Sequence, residues 1–260
     1  MSLDLAQPRD LGQLLSTCLE LYMRHFALFT TLAFAVVLPV DVALYGVAAG
    51  QLWSGYDDSP PIWLDIVGSL APFLLVVPLI SSNHARAVMA IGRGETPGIG
   101  RTLLEGVRLL PAIALVVLLY TLGAFAALLL IVVPGVFLFV RWYVSVPAAV
   151  VERVRGSEAL GRSAKLVKGS WWRVFGIGIV FALITTVVAS AIYFPLEALA
   201  SEADSGVLSL TGTVIAGGLS NSFGALSATL LYFDLRARAT EDQSEGQLTL
   251  PHTWPEDLDP

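Results

Sequence analysis

At 260 residues, 55% hydrophobic and 14% charged, with a mean hydropathy of +0.74, the chain is far more apolar than a soluble domain, in which about 25% of residues are charged. Most of it must therefore sit in lipid. The formal charge of -6 is set by acidic residues in the tail and connections, and no clustered basic face of the kind nucleic acid requires is expected.

Cys18 is the single cysteine, which excludes an internal disulfide and a thiolate metal cage and assigns it to packing. The first 25 residues lack a continuous apolar core and include Asp4, Asp10 and Glu20, so no cleavable signal peptide is expected. The first membrane helix then serves as its own insertion signal.

From Asp10, a good N-cap, the residues Leu11, Leu14, Leu15, Cys18, Leu19 and Tyr22 recur at i, i+3, i+4, i+7 and predict an amphipathic helix on the membrane surface. Six spans follow at about 26–50, 62–91, 109–133, 135–151, 174–199 and 211–235, each near the ~20 residues that cross a hydrocarbon core. Pro134-Gly135 supplies the turn between the third and fourth. The fold class is thus all-α and polytopic, a membrane domain over 1–238 followed by an acidic, disordered cytoplasmic tail over 239–260.

Orientation follows from the basic residues. The connections 51–61 and 200–210 hold Asp57, Asp58, Glu202 and Asp204 but no Lys or Arg. All of the 15 basic residues except Arg141 fall on the opposite side, which predicts a multi-pass inner (plasma) membrane protein with both termini cytoplasmic. Trp53, Tyr56 and Trp63 mark the outer interface, and Trp171, Trp172 and Tyr232 the inner one.

Three cytoplasmic amphipathic segments, 10–24, 97–108 and 157–168, each precede a helical hairpin. They share Leu11-Gly12-Gln13, Ile99-Gly100-Arg101 and Leu160-Gly161-Arg162. The expectation is three repeats of surface helix plus hairpin, with the surface helices forming a collar. In the third, Ser157 is placed to cap, Glu158 and the pair Lys165 and Lys168 complement the helix dipole, and Gly169 ends the helix. Arg155, Arg162, Lys165, Lys168 and Arg173 are the expected lipid-headgroup contacts.

Charges inside a bilayer pair or line a cavity. Arg141, about seven residues into the fourth span, and Asp41, at nearly the same counted depth in the first, are expected to meet and fix helix packing, with a substrate path as the functional alternative. Asn83, His84 and Asn221 are the candidate polar lining. The small residues Gly212, Ala216, Ser220, Gly224 and Ala228 step along the last span and predict close helix contact, with Asn221 bonding across it. His25 and His252 are isolated in sequence, so neither a metal site nor a cofactor is expected.

The run Pro134-Gly135, Arg141, Glu158-Ala159-Leu160, Ser163 and Gly169-Ser170-Trp171-Trp172-Arg173-Val174-Phe175, with Leu231-Tyr232-Phe233-Asp234-Leu235-Arg236-Ala237-Arg238, resembles the membrane-domain family named after glycerophosphoryl diester phosphodiesterases. The resemblance implies an integral membrane protein without the phosphodiesterase catalytic domain. No extramembrane stretch is long enough for that domain, and no nucleophile with its base stands out. The expected role is therefore non-enzymatic, the organisation of lipid or an unidentified protein partner at the cytoplasmic face. A small transporter or channel using Asp41 and Arg141 is the alternative.

Overall fold

The computed structural model describes residues 4–53, 55 and 62–248. Tyr56, Asp57, Asp58, His252 and the tail acids Glu256, Asp257 and Asp259 lie outside them. Among the described residues every element is helical. α1 (Leu11–Arg24) leads into α2 (Phe26–Asp41), which continues as a π-helical stretch, Val42–Ala48. α3 (Ile62–Ala71) joins α4 (Val77–Gly92) through a second π-helical stretch, Pro72–Val76. Then come α5 (Ile99–Leu130), α6 (Val132–Arg141), α7 (Ser145–Glu152), α8 (Gly156–Val167), α9 (Trp171–Glu202) and α10 (Gly206–Leu248).

Six of these stretches are long and apolar enough to cross a membrane: Phe26–Ala48, Leu74–Gly92, Ile99–Leu129, Val132–Glu152, Trp171–Glu202 and Gly206–Glu241. This is a polytopic all-α membrane protein. α10 is its hub, packing on α9, α2, α4 and α1.

α1 starts as expected, with a capping box in which Asp10 accepts from the Gln13 N–H at 2.7 Å and Gln13 accepts from the Asp10 N–H at 3.0 Å. Its face of Leu14, Cys18, Leu21 and Tyr22 is buried against α2 and α10, so protein rather than lipid covers it. Burial pushes the Cys18 thiol well above its ordinary range, which suits packing and not chemistry.

Proline bends the spans. Pro39 has no N–H for the preceding turn, and just past it the hydrogen-bond ladder widens into the first π-helical stretch. The third and fourth spans part at Ile131, whose extended backbone (φ -154, ψ 133) makes the break. Pro134 lies inside the first turn of α6, and Gly135 packs on α5, where a Cβ would lie 2.5 Å from the Leu128 Cα. The pair expected to form the turn instead starts a helix and lets it approach its neighbour.

Several expectations are corrected here. The second surface segment is not a separate helix, because α5 runs unbroken from Ile99 through Pro111 to Leu130. The shared tripeptide opens α1 and α5 but sits mid-helix in α8, so the three segments are not equivalent copies. α8 begins at Gly156 with Arg155 as N-cap and no side-chain cap, two residues before the cap that Ser157 would set. Gly169 does end that region, at φ +85. The last helix continues to Leu248, into the segment expected to be disordered, since Ala239, Glu241 and Gln243 are good helix formers and the first proline is Pro251.

Candidate functional site

Many of the charged side chains gather at one end of the bundle, where the N-terminal segment, α7, α8, the start of α9 and the end of α10 meet. Asp234 is fully buried there. Its Oδ1 accepts from the Arg9 backbone N–H at 2.6 Å, and its Oδ2 from Arg173 at 2.9 Å and Arg238 at 3.2 Å. The Arg9 carbonyl accepts from Arg238 at 2.7 Å and from Arg173 as well. A buried carboxylate survives when its lone pairs are filled by charged donors, and here a single one ties three chain regions together.

Two residues earlier on α10, the Tyr232 hydroxyl donates to Glu152 Oε1 at 2.7 Å. Arg162 Nε reaches both Glu152 oxygens, at 2.9 and 2.6 Å, and this hydrogen bond holds the Arg162 guanidinium above its ordinary pKa. A third cluster joins Glu105 to Arg86 and, at 3.0 Å, to Arg101. Of the five expected headgroup contacts, Arg162 and Arg173 therefore turn into the protein, while Arg155, Lys165 and Lys168 are exposed.

Arg141 belongs to this end as well. Its carbonyl accepts from Ser163 of α8 at 3.0 Å, and one turn back the Phe137 carbonyl accepts from Trp171, the first residue of α9, at 3.2 Å. The exposed guanidinium lies over the Phe137 ring, 5.8 Å from its centroid. Asp41 is half-buried on α2, which packs on α4 and α10, while α6 packs on α5 and α9. Among the described residues no hydrogen bond or ion pair joins Asp41 to Arg141. Equal counted depth does not make two helices neighbours, and the π-helical stretch Val42–Ala48 replaces the regular α-helix that the count to Asp41 assumed.

Deeper in the bundle, His84 is fully buried, bonded to Ser222 Oγ at 2.9 Å and to the Ile80 carbonyl at 2.9 Å, and stacked 5.1 Å from Phe29. Asn83 is equally buried, sits against Gly106 of α5, and finds no partner for either amide atom among the described residues. Both side chains are buried in helix contacts.

Asn221 does. With Tyr120, Thr121, Tyr143, Thr185 and Ser220 it lines a cavity of about 500 Å³ among α4, α5, α7, α9 and α10. Its amide donates to the Gly217 carbonyl at 2.8 Å on its own helix, and not across a helix contact. Ser220 and Thr185 likewise bond carbonyls of their own helices, at 2.7 and 2.9 Å. The Ser220 and Thr185 hydroxyls have placed their hydrogens on the backbone and offer lone pairs, while Asn221 keeps its carbonyl oxygen and a second amide N–H. The stripe of small residues is partly in this space, since Ser220, Gly224 and Ala228 line it, while Gly212 presses on α9 at Leu196.

A second cavity of about 500 Å³ adjoins the first and shares Tyr120, Thr121, Phe139 and Tyr143 with it. It lies between α5, α6 and α9, with Phe125, Leu128 and Ile179 along it, and its exposed Phe125 and Ile179 lie toward the outside of the bundle. No charged residue lines either cavity among the described residues. The hydroxyl-lined chamber and the apolar groove are neighbouring spaces that share these four side chains.

The signals for this site in the sequence were the hydroxyl pairs Tyr120-Thr121 and Thr185-Thr186 inside otherwise apolar spans. No protein-family model matches the chain, and comparison with curated proteins and with solved structures returns no match. Among the described residues no group of three or more His, Cys, Asp or Glu could hold a metal ion.

Proposed function

We propose that this integral membrane protein is a non-enzymatic lipid-binding protein. It holds an amphiphile with an uncharged, hydroxyl-bearing head in the chamber and its acyl chain in the groove. The observation that carries this is a chamber lined by hydroxyl and amide groups lying beside an apolar groove, the two sharing four lining residues. An ionised head would enter without a counter-charge, at a cost no side chain there offsets. An alcohol head brings the donors that the Asn221 and Ser220 oxygens can accept.

In this reading the basic end faces the cytoplasm of an inner membrane, with Arg155, Lys165 and Lys168 at the headgroups. The resemblance to the phosphodiesterase-associated membrane domains enters as part of the proposal. Its closing pattern supports it, because Tyr232, Asp234 and Arg238 all bind within the charged knots. A protein partner docked on the basic end is compatible with this role.

Native mass spectrometry of the full chain from mild detergent tests the reading. Wild-type protein should retain a neutral amphiphile, and Asn221→Leu should lose most of it. A chain that always emerges without lipid, or equal retention by the variant, would overturn it. The polar lining around Asn221 also favours a second reading, a small transporter. Liposome flux unchanged by both Asn221→Leu and Asp41→Ala would remove it.

A further inference from the structure

A third cavity, of about 260 Å³, opens at the basic end between α4, α5, α7 and the turn into α8. Arg86, Arg153 and Arg155 line it, and Ala112, Ile113 and Val150 form its apolar wall. Arg86 shares Glu105 with Arg101, so one carboxylate answers two guanidiniums. Arg153 and Arg155 are exposed and take part in no ion pair among the described residues.

The turn that carries them is unusual. Arg153 adopts the left-handed region (φ 59, ψ 27), where residues with a side chain are disfavoured, and Gly156 follows at φ +51. α8 then starts at Gly156 with Arg155 as its N-cap and no side chain capping it. Three guanidiniums around one space repel each other unless an anion joins them. The donor geometry of guanidinium suits phosphate oxygens best.

We infer that Arg86, Arg153 and Arg155 form a site for a phosphate group. The apolar wall beside the arginines leaves room for the glycerol and first acyl carbons of an anionic phospholipid, while a free phosphate would use the arginines alone. The cavity shares no lining residue with the chamber, so the two proposals stand or fall separately.

Titration calorimetry on the purified full chain in mild detergent tests it, with dihexanoyl phosphatidic acid and inorganic phosphate as probes. The test variant is Arg153→Gly with Arg155→Gln, because glycine accepts the left-handed turn and keeps the fold. The control is Arg24→Gln with Arg236→Gln, which removes the same charge from exposed positions of α1 and α10. The expected result is at least a tenfold loss of affinity in the test variant and less than twofold in the control. Binding of phosphatidic acid alone, abolished by Ala112→Trp, identifies a lipid. Equal binding of inorganic phosphate, indifferent to Ala112→Trp, identifies the free anion. Failure of both probes to bind wild-type protein, or equal losses in test and control, overturns the site.

Discussion

The two polar regions of this molecule solve opposite problems. At the basic end the buried charges are consumed by the chain itself. Asp234 is filled by Arg9, Arg173 and Arg238, and Glu152 by Arg162 and Tyr232. In the chamber nothing is charged, and Thr185, Ser220 and Asn221 are held only by carbonyls of their own helices. The first region has little left to bind with apart from its exposed arginines and lysines. The second keeps its acceptors open, so mutations in the two should separate stability from ligand retention.

The largest expected effect is at the knot. Asp234→Ala leaves Arg173 and Arg238 facing one another without their carboxylate, and should cost about 3–5 kcal/mol, seen as a collapse of the thermal transition in detergent. Next, Gly135→Ala drives a methyl into the Leu128 backbone and parts α5 from α6. Overpacking of this kind costs about 1–3 kcal/mol and should also narrow the groove, lowering retained lipid. Asn221→Leu should change the melting temperature little while removing bound amphiphile, which is the sharpest form of the contrast. If it destabilises as much as Asp234→Ala, the chamber is a structural contact and the division fails. Smallest, Lys165→Gln with Lys168→Gln should shift stability by less than about 0.5 kcal/mol, as exposed charges do.

What could be read from the residues alone was whatever is local along the chain. Hydropathy places the six spans, the Asp10–Gln13 capping box starts α1, and Gly169 closes the region after α8, because each depends on neighbours in sequence. Which helices lie side by side does not. Asp41 and Arg141 were matched by depth, yet α2 and α6 pack on different partners. The threefold repeat failed for a related reason, since nothing between Arg108 and Leu109 ends a helix and α5 continues through it. The chamber was half legible. Asn221 was named, but His84 and Asn83 turn into helix contacts that only the packing of α4 on α2, α5 and α10 determines. The family-like pattern Tyr232, Asp234, Arg238 was visible as a string, while its meaning required Glu152 and Arg173 to arrive from other helices.

The most direct test is photo-crosslinking of full-length protein in bilayers that contain a neutral glycerolipid with a diazirine on its acyl chain. Peptide mapping should place adducts along the groove, at Phe125, Leu128 and Ile179, and Asn221→Leu should reduce them. Adducts spread evenly over the outward faces of α5 and α9, unchanged by Asn221→Leu, would contradict the account.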